Sequence, residues 1–196
     1  GNFVPKLETC QKSLNEYLDM KKKIFPRFYF VSNVALLEIL SNGNLPKKIM
    51  PHVGDCFTNL KMLDFLDEPG KRVGGMISQE GERVDFEKEF VIQGQVEYWL
   101  NDLQDAMRSA LRTVLATAIS TSSMWEVAEA RKRHDWQYDY PAQAVLTGTQ
   151  IAWTDETEAA LGDAEAGNED AVKNYEAKCT SRLMDLIALV RGELTK

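Results

Sequence analysis

The sequence predicts a mainly α-helical protein with one small antiparallel sheet. Apolar residues recur at spacings of three and four along most of the chain, which is typical of amphipathic helices. Over residues 62–86 this pattern gives way to brief apolar runs separated by turn residues, which indicates a β-hairpin or meander. No segment rich in Pro, Gly or Ser divides the 196 residues. We therefore expect an elongated helical bundle in which the sheet is a minor part.

The N-terminal region is predicted to form a helix-turn-helix segment. A first helix over residues 6–25 carries its apolar residues on one face, and Pro26 ends it. Ser32 is the predicted N-cap of a second, shorter helix, and Asn42–Gly43 supplies the residues favoured at a helix C-terminus. An aromatic run therefore lies in the turn between the two helices.

The next segment is predicted to pass from helix into sheet. Apolar residues over 46–59 have helical spacing, but Pro51 falls within this stretch and predicts a short or broken helix. Turn residues at Pro69–Gly70 and Glu80–Gly81 then separate three brief apolar runs. The predicted strands are Met62–Leu66, Val73–Ser78 and Arg83–Phe86.

The remaining chain predicts four helices. One covers residues 94–120, carries a continuous apolar stripe and would span about 40 Å at about 1.5 Å per residue. Ser123 and Glu126 have the spacing of a capping box, and Pro141 suits the first turn of a helix. The other three helices are predicted over residues 123–133, 141–160 and 168–194.

Composition excludes several functional classes. The 23 basic and 30 acidic residues give a net charge of −7, so no broad positive field is available for nucleic acid or an anionic membrane. The three cysteines are widely spaced, which argues against a disulfide framework and favours a reducing compartment. Because Gly1 stands where an initiator Met would be, we expect a segment of a longer intracellular protein.

Motifs that carry chemistry are missing from the sequence. A P-loop needs the spacing GxxxxGK[ST], and the chain has none, so we expect no ATP site. His52 and Cys56 are four residues apart and could supply two metal ligands or a base and a nucleophile. Zinc requires three or four ligands, however, and Pro51 disturbs the geometry of this pair. We expect no catalytic, cofactor-binding or metal-binding residue.

Two aromatic clusters are the candidate interface residues. Each cluster can either fill a core or form a docking patch for another domain. The second follows the basic triplet at 131–133 and alternates with polar residues, which adds weight to the interface interpretation there. The first aromatic cluster is Phe28, Tyr29 and Phe30, and the second is Trp136, Tyr138 and Tyr140.

Several of these segments together resemble one family. Residues 10–44, CQKSLNEYLDMKKKIFPRFYFVSNVALLEILSNGN, are similar to the C-terminal half of the linker in dynein heavy chains, where a helix leads into an FPRFYF run and a short LLxILSNG helix. Three more segments come after it in the family's order. They are GGMISQEGERVDF at 74–86, VEYWLNDLQDAMRSALR at 96–112 and YPAQAVLTGTQIAWT at 140–154.

The last segment looks most like axonemal heavy chains, particularly those of outer arms. The small, acidic stretch 162–167 departs from the family pattern and predicts an interruption where a continuous helix is expected. The resemblance covers essentially the whole chain, so residues 1–196 would be the C-terminal part of a linker without an AAA+ module.

The resemblance implies a mechanical element with no chemistry of its own. In that family the linker lies across a ring of AAA+ modules, and its bending converts ATP-driven changes in the ring into movement along microtubules. The implied partners are the AAA+ ring of the same chain and other dynein subunits, and ATP and Mg²⁺ would bind the ring. The implied location is the cytoplasm and cytoskeleton, in the axoneme of a cilium or flagellum.

The alternative function is a free-standing helical scaffold or adaptor, with a binding groove formed by the same aromatic residues. The two functions predict different coding sequences after Lys196. A P-loop within about the next two hundred residues would indicate the motor segment, since the ring carries the nucleotide sites. A stop codon would indicate the adaptor.

Overall fold

The computed structural model describes residues 3–122 and 133–192. These residues are mainly helical with one three-stranded antiparallel sheet, which confirms the predicted fold class. The helices are α1 (Val4–Ile24), a 3-10 helix (Pro26–Phe30), α2 (Asn33–Ser41), α3 (Pro46–Cys56), α4 (Val96–Ser122), α5 (Arg133–Gln137), α6 (Ala142–Glu165) and α7 (Ala171–Arg191). The strands are β1 (Leu60–Phe65), β2 (Arg72–Ser78) and β3 (Arg83–Val91).

The chain divides into two compact units. The first unit comprises residues 1–110 and the second residues 111–196. The predicted helix over 123–133 lies outside the described residues up to position 132.

The ends of the first two helices are set by the residues predicted to set them. Helix α1 ends directly before Phe25, and Pro26 opens the 3-10 helix. Ser32 caps α2, because its hydroxyl oxygen accepts a hydrogen bond from the backbone N–H of Ala35 at 3.2 Å. The predicted helix-turn-helix segment is therefore confirmed, with a 3-10 helix as its turn.

Helix α3 is short, which is one of the two forms predicted, and it is not broken at Pro51. The helix runs without interruption from Pro46 to Cys56. Proline removes one backbone hydrogen bond inside a helix. Ile49, Val53 and Cys56 are buried along one side of α3, and this packing stabilises the helix across the proline.

The three strands form an antiparallel meander in the order β1-β2-β3. Strand β3 reaches Val91, beyond the end predicted at Phe86. Gly75 is required in the central strand, because a Cβ there would lie 2.5 Å from the carbonyl oxygen of Val84. The meander predicted from turn residues and brief apolar runs is confirmed.

Helix α6 of the second unit continues through Gly162 and ends at Glu165. The interruption expected over 162–167 therefore begins later than predicted. Gly167 has a φ of 104°, a left-handed conformation that favours glycine, and it ends the helix. The short turn after it leads into α7.

An ion pair joins α6 to α7. Glu156 Oε2 and Oε1 accept hydrogen bonds from Arg182 Nη1 and Nη2 at 2.5 and 2.8 Å. These hydrogen bonds lower the pKa of the Glu156 carboxyl, because they stabilise its charged form. The bidentate geometry fixes the two helices in one register along their contact.

Candidate functional site

A set of polar side chains in the first unit fastens the end of α1 and the 3-10 helix to the start of α4. One contact is an ion pair between the Nζ of Lys21 and the Oε1 of Glu97. The side chain of Glu97 is 1% exposed and that of Lys21 is 12% exposed. Lys21 Nζ also donates a hydrogen bond to Gln95 Oε1 at 3.1 Å. Glu97 is the buried charged residue in the core of the described chain.

The second contact of this set closes the end of α1. Asn101 Nδ2 donates hydrogen bonds to the carbonyl oxygens of Ile24 at 2.9 Å and of Glu97 at 3.0 Å. Ile24 is the last residue of α1, where carbonyl groups lack partners within the helix. Asn101 therefore acts as a C-terminal cap supplied by another helix.

Arg27 makes the third contact, from the 3-10 helix. Its Nε donates a hydrogen bond to Gln104 Oε1 at 2.7 Å, and its Nη1 donates one to the carbonyl oxygen of Cys56 at 2.9 Å. The guanidinium carbon lies 4.9 Å from the centroid of the Phe57 ring. Arg27 thus ties the 3-10 helix both to α4 and to the end of α3.

We call Lys21, Arg27, Glu97 and Asn101 the α1–α4 joint. The hydrogen bond from Lys21 to Glu97 raises the pKa of Lys21, so the ammonium is charged throughout the physiological pH range. Hydrogen bonds of fixed direction at both ends of a contact restrict rotation more than apolar packing alone. The joint therefore holds α1 at a fixed angle to α4 within the first unit.

The structure separates the members of the first aromatic cluster. Phe28 is 0% exposed and its ring lies 4.9 Å from that of Phe25 in an edge-to-face arrangement. It is a core residue of the first unit. Tyr29 and Phe30 are 60% and 75% exposed, and Lys22 Nζ lies 5.7 Å from the Tyr29 ring centroid. Only these two rings of the first cluster are accessible to a partner, and their role in an interface stays a prediction.

The second aromatic cluster is divided in the same way. Trp136 is buried, and its Nε1 donates hydrogen bonds to the Ala118 carbonyl oxygen at 3.2 Å and to Thr121 Oγ1 at 3.0 Å. The Tyr140 hydroxyl lies 2.9 Å from the same Thr121 oxygen. Tyr138 is exposed. The core interpretation thus describes Trp136, and Tyr138 is the member accessible to a partner.

The two residues considered for metal or nucleophilic chemistry are His52, which contacts a carboxylate, and Cys56, which is buried. His52 Nε2 lies 2.9 Å from Glu38 Oε2. Burial raises the pKa of the Cys56 thiol to about 12, so the thiol is protonated and a poor nucleophile. Within residues 3–122 and 133–192, no group of three or more His, Cys, Asp or Glu side chains could hold a metal ion. None of the helices over these residues has both the length and the apolar character of a membrane span.

A comparison with protein families identifies the family to which the region containing the joint belongs. The family model described as dynein heavy chain, N-terminal region 2, matches residues 2–118. The chain belongs to the dynein heavy chain family. All four residues of the α1–α4 joint and the first aromatic cluster lie within the matched range.

Individual relatives match nearly the whole chain. The ciliary dynein beta chain of Tripneustes gratilla is 45% identical over 194 residues, which is 97% of this chain and 4% of that protein. Axonemal dynein heavy chain 17 of Mus musculus is 44% identical over 198 residues, 99% of this chain and 4% of that protein. The flagellar outer arm dynein beta chain of Chlamydomonas reinhardtii is 38% identical over 198 residues, again 99% and 4%. The chain therefore spans about 4% of the length of these relatives.

Sequence reasoning missed the joint. Lys21 and Glu97 are 76 residues apart, and Arg27 and Gln104 are 77 apart, so no local spacing relates them. The one signal in the sequence was Glu97 itself, a carboxylate on the apolar side of a helix between the buried residues Val96 and Trp99.

Proposed function

We propose that this dynein heavy chain segment is the C-terminal half of a linker. Its function is mechanical: it couples ATP-driven changes in an AAA+ ring to force and movement along microtubules. The observation that carries the proposal is the α1–α4 joint, set in a region that matches the dynein heavy chain family. A force-transmitting element needs helices held at fixed angles, because a compliant contact would absorb the displacement.

The physics of the joint fits this task. Close-packed interiors have low compressibility and transmit strain. Apolar contacts alone are non-directional, so they resist separation of two helices better than they resist rotation. Arg27 and Asn101 add hydrogen bonds with defined directions at the end of α1. Together, packing and hydrogen bonds make the first unit stiff at the point where α1 meets α4.

Variants of the intact heavy chain test this function. Arg27→Met removes the hydrogen bonds to Gln104 and Cys56 but keeps an apolar side chain over Phe57. We expect the ATPase rate to persist while microtubule gliding slows, because residues that couple two sites contribute about 0.5–2 kcal/mol. The measurement is gliding velocity beside microtubule-stimulated ATPase activity.

The matched control is Arg72→Met, which removes an exposed ion pair with Glu89 on the sheet. Exposed ion pairs contribute little, about 0–1 kcal/mol, so this control should leave both activities unchanged. Unchanged gliding in Arg27→Met would contradict the mechanical role. Equal loss of gliding and ATPase activity would also contradict it, since the variant would then damage the ring rather than its coupling.

We further infer that the motor works in an axoneme, in the cytoskeleton of a cilium or flagellum. This inference is supported by the ciliary, axonemal and flagellar outer arm names of the relatives at 38–45% identity. The partners proposed for the exposed rings of Tyr29, Phe30 and Tyr138 are the AAA+ ring of the same heavy chain and other dynein subunits. ATP and Mg²⁺ would bind that ring and not this segment.

A further inference from the structure

Helix α1 carries an apolar stripe that the described part of the chain leaves uncovered. Every residue from 3 to 17 is exposed. The stripe residues succeed one another at alternating spacings of four and three, the heptad pattern by which one helix packs along another. Over these residues the stripe is about 21 Å long. Its residues are Phe3, Leu7, Cys10, Leu14 and Tyr17.

Several charged residues of α1 lie opposite the stripe, which is the arrangement expected of a helix that packs against a partner on one side. Glu8, Lys12 and Glu16 lie on the side opposite the stripe, because each is about 140–180° away from it at 100° per residue. On the stripe's side, Leu18 and Phe25 are buried in the first unit. The same side of α1 is therefore buried at its C-terminal end and exposed along about its first four turns.

The exposed area is too small for a stable contact with a second copy of this chain. Phe3 and Leu7 are 71% and 66% exposed, and Leu14 and Tyr17 are 40% and 41% exposed. Complete burial of the five stripe side chains would cover on the order of 450 Å², against about 800 Å² per partner in a standard interface. The stripe is also about two heptads long, shorter than the roughly three to four heptads of a self-standing coiled coil.

A helix of the same polypeptide can use a face of this size. Within one chain the contact is intramolecular, so the effective concentration is high and a small contact is sufficient. The relatives are far longer than this chain, which spans 4% of the beta chain of Tripneustes gratilla. Consecutive helices are usually neighbours in space, and the exposed part of α1 is its N-terminal part.

We propose that an amphipathic helix from the part of the heavy chain that precedes Phe3 packs along the α1 stripe. The covering helix has its own apolar stripe about two heptads long and places few charges against α1, since the stripe itself has none. This inference rests on the proposed function in one respect, that the chain is part of a longer heavy chain.

Cys10 provides the test, because it lies in the centre of the stripe and is exposed in the described structure. In the intact heavy chain, alkylation by iodoacetamide is followed by mass spectrometry of the peptides that contain Cys10 and Cys56. We expect Cys10 to react about tenfold or more slowly than in the urea-unfolded heavy chain, because a covered thiol reacts only through transient opening. Cys56, which is buried, is the internal reference for an intact fold.

Two variants of the intact heavy chain test whether the proposed helix packs along the stripe. Leu14→Glu places a charge in the stripe and should restore rapid alkylation of Cys10, while Cys56 stays protected. Lys12→Glu changes the charge on the opposite side of α1 and should leave Cys10 protected. Failure of Leu14→Glu to expose Cys10, with Cys56 protected, would show that something other than contact along the stripe protects the thiol, and would overturn the proposal.

Other outcomes also overturn it. Rapid alkylation of Cys10 in the unmodified heavy chain, with Cys56 protected, means that nothing covers the stripe. Protection that disappears on dilution means that the cover is a second copy, and protection that disappears when other subunits are removed means that it is a different protein. None of these results depends on gliding, so a loss of this inference is distinguishable from a loss of the mechanical coupling tested at Arg27.

Discussion

At the scale of single residues, the buried pair of Lys21 and Glu97 is the feature that packing alone does not explain. Removing two charges from water is costly, and a well-packed apolar pair of similar volume is often as stable. An ion pair differs from an apolar pair because each buried charge requires one particular partner of opposite charge. With Asn101 capping Ile24 next to it, the pair permits one register of α1 on α4. We infer that geometric specificity, rather than added stability, is its contribution.

The first prediction concerns the loss of one partner. Lys21→Met leaves the carboxylate of Glu97 buried without its cation, and breaking a buried pair in this way costs about 3–5 kcal/mol. We expect urea unfolding of the variant at pH 7 to show a fall in the free energy of unfolding of this size. Lys23→Met is the control, because it removes the same charge from an exposed position two residues away. An equal, small effect of both changes would show that Glu97 finds water or another partner.

The same pair predicts a dependence on pH. The hydrogen bond to Glu97 raises the pKa of Lys21 in the folded protein above its unfolded value. The stability from this shift is fully present below the ordinary lysine pKa of about 10.4, and it is lost as the pH rises through the folded value. The urea midpoint of the unmodified chain should therefore fall more steeply above this pH than that of Lys21→Met. Parallel profiles would contradict the coupling.

At the scale of elements, α6 and the turn after it provide a matched pair of glycines. Gly162 lies inside the helix, and a Cβ added there would meet no atom within 4 Å, whereas Gly167 has a φ of 104°. We expect Gly162→Ala to raise the free energy of unfolding by about 0.5–1 kcal/mol, because alanine loses less backbone entropy in a helix. Gly167→Ala should lower it by about 1 kcal/mol, because alanine is strained at positive φ. Thermal melts of both variants check the signs, and a destabilising Gly162→Ala would indicate that the helix is interrupted there.

The elements that sequence could predict are those with local causes. Ser32 as a cap and Pro26 as a stop act within one turn of the chain, and both helix ends are confirmed. The uninterrupted course of α3 across Pro51 has a different cause, which is not local. A single unfavourable residue weakens a helix by a fixed amount, and the packing of distant residues against that helix decides whether it continues.

The division of the first aromatic cluster into buried and exposed residues also could not be predicted from the sequence. Phe25 and Phe28 are both buried and three residues apart, which is one turn of a 3-10 helix, whereas Tyr29 and Phe30 fall on its exposed side. The sequence indicated an aromatic run but not the period of the turn that divides it. The α1–α4 joint was out of reach altogether, because its partners come together only when α1 and α4 pack.

At the scale of the whole molecule, the proposed function leaves nucleotide chemistry to the ring and gives this chain a mechanical task. Its polar side chains are used to fix helices against one another, as at Arg27 and at the pair of Glu156 and Arg182. This division of labour fits a segment that spans about 4% of the length of its relatives. Nucleotide chemistry in the proposed motor would then belong to parts of the heavy chain outside these residues.

The last prediction concerns nucleotide binding, which the proposed function assigns to the ring and not to this chain. The 196-residue chain should neither bind nor hydrolyse ATP, because its sequence has no glycine-rich loop followed by lysine to surround the phosphates. Its net charge of −7 also repels a polyanion. Isothermal titration of the chain with Mg·ATP should give only the heat of dilution, while the intact heavy chain titrated in parallel should give a saturable signal. Saturable binding to the isolated chain at micromolar ATP would refute the prediction, and it would mean that a phosphate site is built from residues without the P-loop spacing.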